Sequence, residues 1–436
     1  MSHAQATVDL SERNTELGTT GSLTSHVFLA IGVVCLLVSF LFPILGIGGM
    51  TWDSFWRSWL QNWIFVLEIP LGAFFFVFIQ HLTRAGWSVA VRRPAEVIAS
   101  NLNWIWIGFL PIFALFFTGH SYAIFPWSDM AELAAHAPAE AHLVEGKTPY
   151  LNTPFFLIRA VIYFVVWAVL ANWFLRASLR QGTDHGNGPS RAMQKAAGPA
   201  AILFGLTTTF AAFDWIMSLS PGWFSTMFGI YFFCGCVTCG FAAMILSCIM
   251  LQRNGYMVDI ITNEHYQDMG KLLFGLGIVF WAYIGFSQYM LIWYANIPEE
   301  TGWFLARQIG GWGPISLLLL FGHFVIPFVA IISKWVKRMK WALMVAAIWM
   351  LAFAWLDLFW LIMPVIPLDF MTAKTYMEVV EAHANDTTGI TNPINFTMLA
   401  GVGGIYLWMT IRRFRSHRIL AIQDPRLREG LSFENQ

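Results

Sequence analysis

Charge is scarce in this sequence. Only 11% of its 436 residues are Asp, Glu, Lys or Arg, less than half of the roughly 25% that a soluble globule carries, so a soluble enzyme is excluded. What charge there is balances, 25 acidic against 25 basic residues, and gives no footprint for a nucleic-acid or polyanion partner. Cysteine is sparse too. Five occur, four of them (Cys234, Cys236, Cys239 and Cys248) in one apolar stretch. That odd, clustered set excludes an extracellular disulfide framework, and one helix cannot wrap four thiolates about a metal, so these read as small packing residues. No CxxCH motif attaches a haem c. His81 and His120 fall at opposite ends of their spans and His323 has no counterpart at its depth, which leaves no axial pair for a haem b. Any redox centre is therefore expected in a partner. The first 25 residues lack a charged-then-apolar leader with a cleavage site, and no signal peptide is expected to be removed.

What the sequence has in abundance is apolar length. Hydrophobic residues make up 57% and the mean hydropathy is +0.60. A bilayer core about 30 Å thick needs roughly 20 apolar residues per helix. Ten such runs occur, at about 27–47, 60–81, 98–119, 154–175, 198–219, 223–251, 272–295, 312–333, 341–365 and 394–411. Lipid admits only helices or closed barrels, and these runs are too long and too continuous for barrel strands. The predicted fold is an all-α polytopic membrane protein: a polar tail over 1–26, a ten-span bundle over 27–411 and a basic tail over 412–436. Twenty of the 25 Lys and Arg lie on the side of the termini, and only Arg57, Lys147, Arg307 and Lys374 lie opposite, with Arg159 inside a span. The positive-inside rule then places both termini in the cytoplasm. The two longest outer loops, 120–153 and 366–393, carry Asp129, Glu132, Glu140, Glu145, Asp369, Glu378, Glu381 and Asp386. They read as docking surface for an extracytoplasmic partner or as plain solvated loops.

Ionisable residues inside spans cost about 2.5–3.5 kcal/mol each on insertion scales and are functional candidates by default. Here they are Glu68, Arg159, Asp214, His323 and Asp357. At about 1.5 Å of rise per residue all fall in the outer half or at the centre, the gradient that a half-channel or pocket open to the outside requires. The competing reading is a structural ion pair of Arg159 with Glu68 or Asp214. A carboxylate left without a cation can exchange protons near neutral pH, and Asp214 and Asp357 are the better candidates. Thr207 lies seven residues before Asp214 on the same helical face. Tyr283, Ser287 and Tyr294 form a stripe at offsets of four and seven. Such hydroxyls hold a water chain or act as packing glue between helices. Asp214 and Asp357, four spans apart, suggest two parallel four-helix bundles, spans 2–5 and 6–9, flanked by spans 1 and 10.

Several segments carry a family resemblance. FAAFDWIMSLSPGWFSTMFGIYFF (210–233), HYQDMGKLLFG (265–275) and FWAYIGFSQYMLIWYANIPEET (280–301), with the ten-span layout, resemble a large membrane subunit of bacterial alternative complex III, a quinol:cytochrome c oxidoreductase. This lies within the wider polysulfide-reductase (NrfD/PsrC-like) membrane family. The resemblance spans about 27–412. It implies residence in the bacterial inner membrane and no covalently bound cofactor or metal in this chain. It also implies partners: a related NrfD-like membrane subunit, an extracytoplasmic iron–sulfur subunit and multihaem cytochrome c subunits. Quinol oxidation near the outer face, coupled to proton translocation, is the implied function, with quinone or quinol as the ligand. Motif by motif it points to Asp214, Tyr294, Asn296, Glu299 and Glu300. A secondary transporter and an inert membrane scaffold are the competing classes.

Overall fold

In the computed structural model the described residues are 8–182, 186–365 and 375–435. The stretch 366–374 of the second long loop, with Asp369 and Lys374, lies outside them. The chain is an all-α polytopic membrane protein. Among the described residues nine helices are long and apolar enough to cross a membrane, and ten if one bent pair counts as a span. They are α1 (Ser22–Leu45), α2 (Trp52–Leu82), the bent pair α3 (Gly86–Asn103 with Ile105–Thr118), α4 (Thr153–Arg180), α5 (Gly188–Leu219), α6 (Phe228–Arg253), α7 (Asn263–Ala295), α8 (Trp312–Ile331), α9 (Lys340–Ile362) and α10 (Pro393–Ser416).

The third span departs from its predicted bounds. Its two halves meet at 43°, where Trp104 leaves helical geometry at φ −131°. The first half was hidden because Arg92, Arg93 and Glu96 break its apolar run. These charges are buried. Arg92 pairs with Glu96 at 3.1 Å and with Asp424 at 2.6 Å, and Arg93 pairs with Glu96 at 3.0 Å. Asp424 belongs to the basic tail, so that tail is fastened to the bundle and does not hang free. Hydrogen bonds to charged groups contribute about 1.5–3 kcal/mol each. Asp424→Ala is therefore expected to raise limited proteolysis after Arg426 and Arg428 about ten-fold. An unchanged cleavage rate would mean that the tail is held elsewhere.

Buried share shows which helices are central. In its most apolar window α2 is 83% buried and α6 is 78% buried, whereas α1 is 11% buried and presents its face to lipid. Around this pair α2 contacts α3 and α5, while α6 contacts α7 and α9. The helices α1 and α10 pack on each other to one side. The crossing of α2 with α6 is possible because Gly72 and Gly240 meet backbone to backbone: a Cβ on Gly72 would run into the carbonyl of Cys236. Small residues at such contacts let backbones approach where no hydrophobic force drives association. Gly72→Leu should cost at least the ~1–3 kcal/mol of an overpacked core, since the obstacle is backbone. Gly205→Ala, whose added Cβ meets nothing within 4 Å, should be neutral. Thermal unfolding in detergent compares the two.

Both ends of the chain lie on one face of the molecule, where Ile419 N–H donates to Thr15 O and Met257 N–H to Asn14 O. The loop 120–152 lies on the opposite face. There Lys147 Nζ donates to Pro221 O at 2.6 Å and Glu140 Oε1 accepts from Gly222 N–H at 3.2 Å.

Candidate functional site

The acids Asp214 and Asp357, similar by position in sequence, have opposite surroundings. Asn152 precedes α4 and its side chain caps the helix by accepting from Phe155 N–H at 3.0 Å, and Pro154 follows in the first turn. This sets Arg159, Tyr163 and Trp167 at four-residue spacing along one face. All three reach α5. Arg159 grips Asp214 with two bonds of 2.8 Å, Tyr163 OH donates to Asp214 Oδ2 at 2.7 Å, and Trp167 Nε1 donates to Thr207 Oγ1 at 2.9 Å. Thr207 Oγ1 in turn donates to Leu203 O. Arg159 also donates to Tyr150 O and lies over the rings of Tyr150 and Phe155. Bidentate arginine–carboxylate pairing is the strong, geometrically fixed kind. Asp214 thus has a permanent counter-ion. Arg159, Thr207 and Asp214 form a closed ladder between two helices, which corrects the expectation that Asp214 stands free and that Thr207 continues a water track.

Asp357 on α9 has no such cation. Tyr231 OH of α6 donates to its Oδ1 at 2.5 Å and Trp281 Nε1 of α7 to its Oδ2 at 3.2 Å, and Asp357 makes no ion pair among the described residues. It is 4% exposed. His323 of α8 stacks face to face on Trp281, with ring centroids 3.9 Å apart and planes 3° apart. Among the described residues neither of its ring nitrogens reaches hydrogen-bond geometry, although the backbone of Gly277 and of Phe353 lies close to the ring. Two π-helical turns set up this stack, Leu273–Val279 in α7 and Leu320–Val325 in α8. Such turns are common at functional sites. In-turn carbonyls are met by side chains: Thr238 Oγ1 donates to Gly277 O at 3.0 Å and Trp349 Nε1 to Gly322 O at 2.7 Å.

Tyr231 and Trp281 are also walls of a cavity of about 840 Å³ that lies in the half of the bundle away from the termini. Its lining is mostly aromatic and aliphatic and comes from α6, α7, α8, the end of α9 and the segment 303–308 between α7 and α8. This matches a small-molecule site: concave, apolar, with a few placed polar groups. Arg307 and Gln288 are among those groups. Arg307 is 1% exposed, lies 3.4 Å over the Trp303 ring and donates to the carbonyls of Trp303, Trp360 and Leu361 at 2.8, 3.0 and 2.9 Å. It makes no ion pair among the described residues. Two of those carbonyls, of Trp360 and Leu361, belong to the last turn of α9, where a cation meets the negative helix end.

The remaining sequence candidates divide. Glu68 is buried at the α2–α6 joint, where Cys239 Sγ–H donates to its Oε2 at 3.2 Å and Gly235 leaves room for its carboxylate. It does not meet Arg159. Cys239 is therefore more than a packing residue. Tyr283 and Tyr294 are 63% and 84% exposed and Ser287 is half-buried, so this stripe faces outward and is no interior water chain. The interior face of α7 is instead Trp281, Ile284, Gln288 and Ile292; a face of polar hydroxyls and a face of tryptophan and glutamine are equally periodic, and periodicity alone does not say which is inside. Asn296 ends α7 in left-handed geometry at φ 51°, a capping role. The Glu299 side chain lies outside the described residues. Sequence reasoning missed Tyr231, Trp281, Gln288 and Arg307. The first three are uncharged residues in apolar runs, and Arg307 was read as a loop cation.

No protein-family model matches the chain, and no curated protein matches it.

Proposed function

We propose that this chain is an integral membrane subunit of a bacterial respiratory quinol oxidoreductase of the alternative complex III kind, seated in the inner membrane with both termini in the cytoplasm. Its α6–α9 half handles protons released when quinol is oxidised at the outer-facing cavity. One observation carries the reading: an intramembrane acid without a cation, Asp357, is held by Tyr231 and Trp281, which are themselves walls of an aromatic cavity. Quinol oxidation yields two electrons and two protons. The protons need an acceptor within one or two hydrogen bonds of the ring oxygens, and Tyr231 followed by Asp357 supplies it. The electrons pass to an extracytoplasmic iron–sulfur subunit and multihaem cytochromes c, the partners that the sequence resemblance names. The saturated Arg159–Asp214 ladder favours a structural role for the α2–α5 half. Isolation of the tagged chain from its own membranes in mild detergent tests the reading. Haem c and iron–sulfur absorbance should co-elute with it in fixed ratio. A chain that elutes alone, and restores solute uptake in vesicles, would be a carrier instead.

A further inference from the structure

The cavity holds two polar groups whose bonding is incomplete. Gln288 is 5% exposed, and its Oε1 has no hydrogen-bond partner among the described residues; a buried acceptor in that state is unfavourable. Arg307 has five N–H donors, of which three are used, each on a neutral backbone carbonyl. Both residues line the same cavity. An unmet acceptor and a cation with donors to spare, set among stacked indoles and phenyl rings, are complementary to a flat ring bearing one hydroxyl and a second oxygen. They are a poor match for a hydrocarbon chain, which satisfies neither.

We infer that Gln288 and Arg307 are the head-group ligands of a para-quinol: Gln288 Oε1 accepts from one ring hydroxyl, and Arg307 donates to the oxygen across the ring. The prenyl tail lies along Phe286, Leu317 and Leu320 toward lipid. This rests on the proposed function for the chemical class of ligand, but not for where it binds. Neither residue takes the proton away. They position the ring so that Tyr231, another wall of the cavity, faces it.

The test uses the purified assembly in lipid nanodiscs and an azido-quinone with a short prenyl tail. Light should attach it within residues 281–308, in competition with unlabelled quinol. Gln288→Leu and Arg307→Met should each weaken its binding ten-fold or more. Gln288→Glu, which keeps an acceptor, should lose less than Gln288→Leu. Because Arg307 also caps α9, its variant is read only if its elution profile is unchanged; Gln288→Leu stands by itself. Asp357→Asn should bind the probe like the parent. Labelling elsewhere, or equal affinity in Gln288→Leu and the parent, overturns the inference even if Asp357→Asn has lost turnover. Retention of phospholipid that falls in Arg307→Met while probe affinity does not would assign the cavity to a lipid head group and overturn it equally. Full turnover in Asp357→Asn with probe affinity lost in Gln288→Leu would instead sink the proton-handling reading and keep the head-group site.

Discussion

Arg159→Met alone is expected to destabilise the chain by about 3–5 kcal/mol, the range found when one partner of a buried ion pair is removed. The loss follows from what stays behind. Asp214 is completely buried, and without the guanidinium its carboxylate is left with neutral partners such as the Tyr163 hydroxyl. The double variant Arg159→Met with Asp214→Leu should recover most of that stability, because two apolar residues of similar volume often replace a buried pair at little or no cost. Thermal unfolding of the three forms in one detergent decides. A proton-relay role for Asp214 predicts the reverse pattern, in which Asp214→Asn folds and assembles normally but loses activity. Equal stability of Arg159→Met and the parent would show that the ladder does not hold α4 to α5.

Asp357→Asn should lower quinol-driven turnover of the assembly by about a hundred-fold, the low end for removal of a positioned proton acceptor, and leave the amount of assembled complex unchanged. The amide is nearly the same size and can still accept from Tyr231. One nitrogen then faces the Trp281 N–H, donor against donor, and that single bond is lost at about 0.5–1.5 kcal/mol. So small a cost does not prevent folding. Substrate affinity should be kept while maximal rate falls, because the acid lies behind Tyr231 and Trp281 and does not line the cavity. A matching loss in Tyr231→Phe, with Trp281→Phe milder, would place the tyrosine in line between ring oxygen and acid.

Most of the architecture was legible from the sequence because lipid leaves the chain few choices. Ten apolar runs and the exclusion of irregular backbone from hydrocarbon are enough to give the spans. The third was misplaced for a specific reason: Arg92, Arg93 and Glu96 look like a solvated loop until Asp424, more than 300 residues away, is seen to neutralise them. Burial of charge by a distant partner leaves no local trace. The same limit applied to the site. Glu68, Asp214, His323 and Asp357 were found because a charge or imidazole stands out in an apolar run. Which of them is neutralised depends on the neighbour each helix meets, and only the fold brings Arg159 to Asp214 and leaves Asp357 with Tyr231 and Trp281. The π-helical turns that stack His323 on Trp281 have no sequence signature beyond Gly277 and Gly322, and Arg307 counted as an outer-loop cation is in fact inserted under the end of α9.

On the proposed function Asp357, and not Asp214, gains and loses a proton as quinol is consumed. Infrared difference spectra of the purified assembly, recorded as quinol is added and oxidised, report this directly through the carbonyl band of a protonated carboxyl group. A band that comes and goes with turnover, vanishes in Asp357→Asn and persists in the Arg159→Met, Asp214→Leu double variant is the result expected. A band that survives in Asp357→Asn, or one that the double variant removes, would contradict it.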